Sequence, residues 1–348
     1  MNAPVEAVTE PSGAAKSSTL GPILRGLVRH RTLAALVVVS IVCTAYGLNG
    51  DATALITLDN ALILVLFSVA TNLLLGYGGM ASFGQACFFG LGAYLVALGW
   101  ANLHAPFWLM LVAAPAVGAL VATAVGAVAL RLQQWFFSLV TLAFSQLFYT
   151  IVEKAYVITQ GDNGVFGPMI PRALTEPITG FEFVLGVTAI CLVLLLAVVR
   201  SPFGLTLTAI RDNRRRVQTL GINVYRHQVL AFAISGAFCS VAGALFTVPN
   251  QAAYPQLFDW NQSGLPVIAS VLGGVFLFEG PVLGAFILQY GRDLLIQHTS
   301  HWQLAFGLLL LAIVLLAPDG LLGAAYRLIG RSARRFLSSG VWRRAGWR

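Results

Sequence analysis

Apolar residues occur in long runs along the chain, separated by short polar or basic segments. Most runs approach the roughly 20 residues that cross about 30 Å of hydrocarbon at about 1.5 Å per residue, so each predicts a membrane-spanning helix. The runs at 263–279 and 282–296 are short, and a re-entrant pair there would lower the count to eight. We therefore predict an all-α, polytopic bundle of about ten transmembrane helices, some of them short or broken. The runs cover about residues 33–49, 56–75, 83–101, 107–130, 135–152, 182–199, 227–248, 263–279, 282–296 and 302–318.

The composition fits a membrane protein and excludes a soluble one. Hydrophobic residues make up 58% of the 348 positions and charged residues 10%, against about 25% charged in soluble domains. A soluble enzyme, a nucleic-acid binder and a disordered scaffold are therefore excluded for the chain as a whole. Cys43, Cys87, Cys191 and Cys239 lie inside apolar runs without CxxC spacing, which predicts free thiols rather than a metal site or a disulfide framework.

The basic residues predict how the chain is oriented. Of the 21 Lys and Arg residues, four precede the first run, six lie from Arg200 to Arg226 and seven follow residue 326. By the positive-inside rule both termini and the 200–226 loop are cytoplasmic, and the turn-rich segment 153–181 is the longest external loop. The predicted organisation is a disordered basic tail at 1–32, a transmembrane domain at 33–325 and a basic tail at 326–348.

A glycine-rich stretch is the densest unusual feature of the chain. Five glycines fall within fifteen residues from Gly76 to Gly90, and each lowers helix stability by about 1 kcal/mol relative to alanine. One interpretation is a discontinuous helix beside a substrate path. The other is close helix packing through small residues. The candidate path residues are Asn72, Gly76, Gly79, Ser82, Gly84 and Gln85.

A second feature is the basic segment from Ser201 to Asn223. Ile210, Val217 and Leu220 follow one another at spacings of seven and three, which predicts one narrow apolar stripe on a short helix between two spans. Gly221 is placed to end that helix. The alternative is a basic loop that contacts anionic membrane lipid, but it leaves the stripe unexplained.

These features, taken in order with four further motifs, strongly resemble the permease subunits of branched-chain amino acid ABC importers, in particular the M-type subunit. The resemblance covers most of residues 33–325 and implies a fold similar to the cobalamin importer permease. The motifs are the Gly76–Tyr94 block, Thr141-Leu-Ala-Phe144, Gly161-Asp-Asn-Gly164, the Ala209–Asn223 segment, Leu272-Gly273-Gly274 with Gly280-Pro281-Val-Leu-Gly284-Ala285, and Ala317-Pro318-Asp-Gly320-Leu-Leu-Gly323.

The resemblance also implies a coupling helix, a helix that docks on an ATPase subunit. It implies a second related permease subunit in a heterodimer, two cytoplasmic ATPase subunits, an external or periplasmic solute-binding protein and a place in the bacterial inner membrane. No nucleic acid, cofactor or metal is expected. The residues matched to the coupling helix are Ala209, Ile210, Arg211, Asp212, Asn213, Val217, Leu220 and Gly221.

The missing motifs agree with a transport subunit that is not itself an enzyme. The sequence has no GxxxxGK[ST] phosphate loop, and its only lysines are Lys16 and Lys154, so ATP would be handled by a partner chain. Gln85 and Gln134 depart from the residues common in the family, His and Gly respectively. Because urea and other amide importers share these motifs, an amide solute is an alternative to an amino acid.

The sequence gives weaker support to two other function classes. An ion-coupled secondary transporter usually carries ionisable groups deep in its spans, whereas Asp59, Glu279, Arg292 and Asp293 fall near run ends. An intramembrane enzyme would need a nucleophile with a base, or a metal cluster, within the spans. The polar residues there are mostly Ser, Thr, Gln and Asn, which disfavours an enzyme.

Overall fold

The computed structural model describes residues 52–132, 134–167 and 169–298, with scattered positions between 301 and 324. The predicted tails at 1–32 and 326–348 and the first run at 33–49 lie outside the described residues, as does most of the last run. The helices are α1 (Ala52–Asn72), α2 (Gln85–Leu103), α3 (Phe107–Ala129), α4 (Gln134–Lys154), α5 (Tyr156–Thr159), α6 (Pro177–Arg200), α7 (Pro202–Asp212), α8 (Arg214–Thr219), α9 (Val224–Asn250), α10 (Trp260–Gly273) and α11 (Gly280–His298).

The structure confirms a polytopic helical membrane bundle. Within the described residues, six helices are long and apolar enough to cross a membrane. They are α1 with its continuation to Tyr77, α2, α3, α4, α6 and α9. One small β element joins them: β1 (Val165–Phe166) pairs antiparallel with β2 (Ala252–Ala253), so the long 153–181 segment is tied to the chain that follows α9.

The bundle has two distinct ends. At the basic end α6 finishes at Arg200 and α9 begins, and the hydroxyl of Tyr225 donates a hydrogen bond to the carbonyl of Ala127 at 2.7 Å. At the loop end the amide of Gly167 donates to the carbonyl of Gln251 at 3.3 Å. The α10–α11 hairpin starts at the loop end, and its turn at 274–279 reaches the basic end.

The core is built where α2, α3 and α9 approach each other closely. A methyl group on Gly92 would collide with the backbone carbonyl of Ser240, and one on Gly243 with that of Phe89. Edge-on contact between Phe88 and Phe232, with ring centroids 5.5 Å apart, fills the space beside these crossings. Helices in lipid associate through such close packing because the bilayer supplies little hydrophobic drive between them.

Three sequence-based expectations about the helices need correction. Helix α6 begins at Pro177 rather than near 182, because proline suits the first helical position, where no amide donor is needed. Helix α10 ends at Gly273 rather than 279, because Gly274 has a φ of 122° and the chain then turns. Asp59 is not near a helix end: it lies about two turns inside α1 and is 4% exposed.

We predict that Gly92→Val destabilises the protein by about 1–3 kcal/mol, because the added side chain must push α2 away from the α9 backbone. Gly186→Val is the matched control, since nothing lies within 4 Å of the position of its added Cβ. Thermal unfolding in detergent measures both variants. Equal melting temperatures for the two variants would contradict the packing described here.

Candidate functional site

The predicted helix break is present after α1. The chain continues as a π-helical turn from Leu73 to Tyr77, and residues 78–84 are not helical before α2 begins at Gln85. Gly79 has a φ of 64°, a conformation that glycine adopts without a Cβ penalty.

The break is packed against two other elements. The side-chain amide of Asn72 donates to the carbonyl of Val275 at 3.0 Å, in the turn between α10 and α11. A Cβ on Gly76 would collide with the same carbonyl, and one on Gly84 with the carbonyl of Thr141 in α4. Close packing therefore explains the glycines at 76 and 84 in this conformation. Residues 78–84 connect two separate long helices, α1 with its continuation to Tyr77 and α2, so a substrate path beside them stays a prediction.

Ser82 and Gln85 lie in a buried hydrogen-bond network. Ser82 is 1% exposed and Gln85 is fully buried. The Gln85 amide donates to the Ser82 hydroxyl at 3.2 Å, and its oxygen accepts from Ser235 at 3.2 Å and from the free thiol of Cys239 at 3.3 Å. Ser235 also donates to the carbonyl of Ala70 at 2.7 Å. In this conformation both candidate path residues contact protein, and neither lines the cavities described below.

A small cavity opens beside the break at the basic end. Its volume is about 110 Å³. Of the six candidate path residues, Gly79 lines this cavity. The lining residues are Gly78, Gly79, Met80, Leu130, Leu132, Phe137, Ile210, Arg211, Arg214 and Gln228.

The predicted coupling segment forms two helices rather than one. Between α7 and α8 the backbone of Asn213 is extended, with φ −157° and ψ 91°, and its side chain accepts a hydrogen bond from the amide of Arg216 at 3.0 Å. Gly221 ends α8 with a φ of 81°, as predicted. The extended residue changes the helix direction, so residues before and after it cannot share one helical face.

The predicted apolar stripe is accordingly wrong. Ile210 and Val217 are 3% and 4% exposed and pack with Val224, at the start of α9, in a small internal cluster. Leu220 is 73% exposed and points away from them. Ile210 and Val217 therefore pack the segment against the start of α9, and Leu220 remains on the surface.

Arg211 connects the predicted coupling segment to the break and to the hairpin. Its guanidinium donates to the carbonyl of Gly76 and lies 5.0 Å from the ring centroid of Phe276. It also forms an ion pair with Asp212, with Nη2 and Oδ1 3.0 Å apart. The aliphatic part of Arg211 fills the space that a Cβ on Gly79 would need.

Sequence reasoning missed a larger cavity of about 270 Å³ at the loop end. Its polar lining comes from separate helices, including Asn60 of α1, Asn250 of α9 and Arg292 of α11. The sequence did contain a signal for this cavity, namely amide and charged side chains in or beside apolar runs. Polar side chains in membrane spans have an unfavourable insertion free energy and are usually functional. Their grouping depends on contacts between distant parts of the chain.

The comparisons with known proteins identify the scaffold. The family described as branched-chain amino acid transport system, permease component, matches residues 53–317. The chain is 27% identical over 288 residues to the high-affinity branched-chain amino acid transport system permease protein LivM of Salmonella typhimurium, covering 75% of this chain and 68% of that protein.

Two other relatives match shorter parts of the chain. The probable branched-chain amino acid transport permease protein LivH of Methanocaldococcus jannaschii is 27% identical over 44% of this chain and 52% of its own length. The autoinducer 2 import system permease protein LsrC of Enterobacter sp. is 32% identical over 49% of this chain and 52% of its own length. No solved structure matches the chain.

The family match covers most of the described helices, including the break, the two-helix coupling segment and the hairpin. It confirms the resemblance stated from the motifs, and it makes the chain a transport component rather than an enzyme. The chain belongs to the family of permease components of branched-chain amino acid transport systems.

Proposed function

We propose that this chain is the membrane subunit of an ATP-driven importer that brings branched-chain or other small amino acids into a bacterial cell. It works with a second related permease subunit, two cytoplasmic ATPase subunits and an external solute-binding protein. The family match and the LivM relatives support the transport class. The observation that carries the mechanism is the position of Arg211, which joins the coupling segment to the helix break.

In this proposal the basic end faces the cytoplasm. Seventeen of the 21 basic residues lie in the two tails and the 200–226 segment, and positive charge favours the cytoplasmic side. The six long helices alternate in direction and the α10–α11 hairpin adds two further passes. By their sequence alone, the apolar runs at 33–49 and 302–318 would bring the count to ten crossings, which would return the basic C-terminal tail to the side of the N-terminal tail.

The ATPase contact in this proposal is the outer surface of α7 and α8. Leu220 and the arginines at 214–216 are exposed there, whereas Ile210 and Val217 are buried. A movement imposed on α7 and α8 by the ATPase would pass through Arg211, in α7, to the backbone of Gly76 and to Phe276, because Arg211 contacts both. The break and the hairpin turn would then move with the ATPase.

A second candidate solute class is a small polar amide such as urea. The LsrC relatives are importers of a different solute, so related sequences serve more than one solute. Competition for uptake by a reconstituted importer distinguishes the two classes. If the importer carries amino acids, excess unlabelled leucine reduces uptake of labelled leucine. Excess urea reduces it only if urea binds at the same site.

We predict that Arg211→Gln uncouples transport. The substitution removes hydrogen bonds from a charged group, so we expect solute uptake to fall about tenfold, while the ATPase subunits still co-purify because the exposed surface of α8 is unchanged. Arg131→Gln is the matched control, since Arg131 is exposed at the basic end and lies outside α7, α8 and the break. Uptake and ATP hydrolysis are measured in proteoliposomes. Normal uptake by Arg211→Gln would contradict the proposed coupling route.

We predict that Ser82→Cys becomes accessible to water only when the transporter changes state. The four native cysteines are first replaced by alanine. The buried position of Ser82 predicts no labelling by a water-soluble thiol reagent without nucleotide, and opening of the break predicts labelling with bound nucleotide. Arg172→Cys, exposed at the loop end and away from the proposed ATPase contact, should label in both states. Absence of Ser82→Cys labelling in both states would leave helix packing as the role of the break.

A further inference from the structure

The loop-end cavity lies between α1, α9, α10 and α11. Its volume of about 270 Å³ is below the roughly 300–1,000 Å³ of pockets for drug-sized ligands, which suits a smaller solute. The full lining consists of Asn60, Ile63, Leu64, Phe67, Phe89, Phe246, Asn250, Tyr254, Gln262, Leu265, Gln289, Arg292 and Asp293.

One wall of this cavity is a continuous apolar surface. The rings of Phe67 and Phe89 have centroids 4.8 Å apart, and those of Phe89 and Phe246 are 5.7 Å apart. Leu64 and Leu265 complete this wall. Phe67 and Phe89 are almost fully buried, so packing in the protein core fixes the positions of these two rings.

The other wall is polar and carries both signs of charge. Arg292 and Asp293 are consecutive in α11, and the Gln289 amide donates to Asp293 Oδ2 at 3.3 Å. Also in the polar lining, the Asn250 amide donates to Asn60 Oδ1 at 3.0 Å. Tyr254 and Arg292 both line the cavity; burial raises the pKa of Tyr254, and the positive charge of Arg292 partly opposes that rise.

We propose that this cavity binds a zwitterionic α-amino acid with an apolar side chain. The carboxylate lies against Arg292, the ammonium group against Asp293 and the amide oxygens, and the apolar side chain on the three phenylalanine rings. A purely apolar ligand would not interact with the charged side chains, and a small ion would not contact the aromatic rings.

The place of this site in transport rests on the proposed function. If the basic end is cytoplasmic, the cavity opens on the external side, where a binding protein releases its solute. The buried network of Ser82 and Gln85 begins close below the cavity, because Ala70, whose carbonyl accepts from Ser235, is one turn along α1 from Phe67. The bound amino acid would therefore lie on the external side of this buried network, which closes the way to the basic end.

The test compares ligands that differ by one charged group. The chain is assembled with its permease and ATPase partners in nanodiscs, without the binding protein. Binding of L-leucine and of L-leucinamide, which lacks the carboxylate charge, is measured for wild type and Arg292→Gln. We expect Arg292→Gln to bind L-leucine about tenfold more weakly and L-leucinamide as wild type does. Arg172→Gln, exposed at the loop end and outside the cavity, is the control.

Asp293→Asn is a second variant, used in case Arg292→Gln does not assemble. It is expected to weaken binding of the ammonium group rather than of the carboxylate. It should lose affinity for both ammonium-bearing ligands but retain that for 4-methylpentanoate, which lacks the amino group. Equal losses for all ligands, unchanged leucine binding, or no leucine binding by wild type would overturn the site. Leucine uptake by the complete importer is measured separately, since its absence would instead contradict the proposed function.

Discussion

The contact between the Arg211 guanidinium and the carbonyl of Gly76 is the constraint on which the arrangement of the basic end depends. That carbonyl lies in a π-helical turn, where the regular hydrogen-bond pattern of α1 has ended. Phe276 lies against the same guanidinium. A single side chain thus connects three segments that are more than 60 residues apart in sequence.

The rest of the bundle provides a fixed frame for this connection. Glycines let α2 and α9 touch backbone to backbone, which leaves little space for either helix to shift. The break after α1 packs against the hairpin turn and α4 instead, and a buried network of Ser82, Gln85 and Ser235 connects it to α2 and α9. In the proposed mechanism the frame stays in place while the break and the hairpin turn move.

Much of the architecture was predictable because membrane helices require long apolar runs and because basic residues fall into blocks. The helix break was also predictable, since glycine acts locally. The bend at Asn213 and the exposure of Leu220 were not, because they depend on which surface of α7 packs against Val224. The loop-end cavity was not predictable either: Asn60 and Arg292 are 232 positions apart (292 − 60), and only the folded hairpin brings them together.

A double-mutant cycle at Arg211 and Phe276 tests the central claim most directly, because it isolates the contact between them. The quantity measured is solute imported per ATP hydrolysed for wild type, Arg211→Gln, Phe276→Leu and the double variant in proteoliposomes. If the contact transmits coupling, the double variant is no worse than the more impaired single variant. Losses that multiply independently would show that Arg211 and Phe276 act separately and would contradict the proposed route.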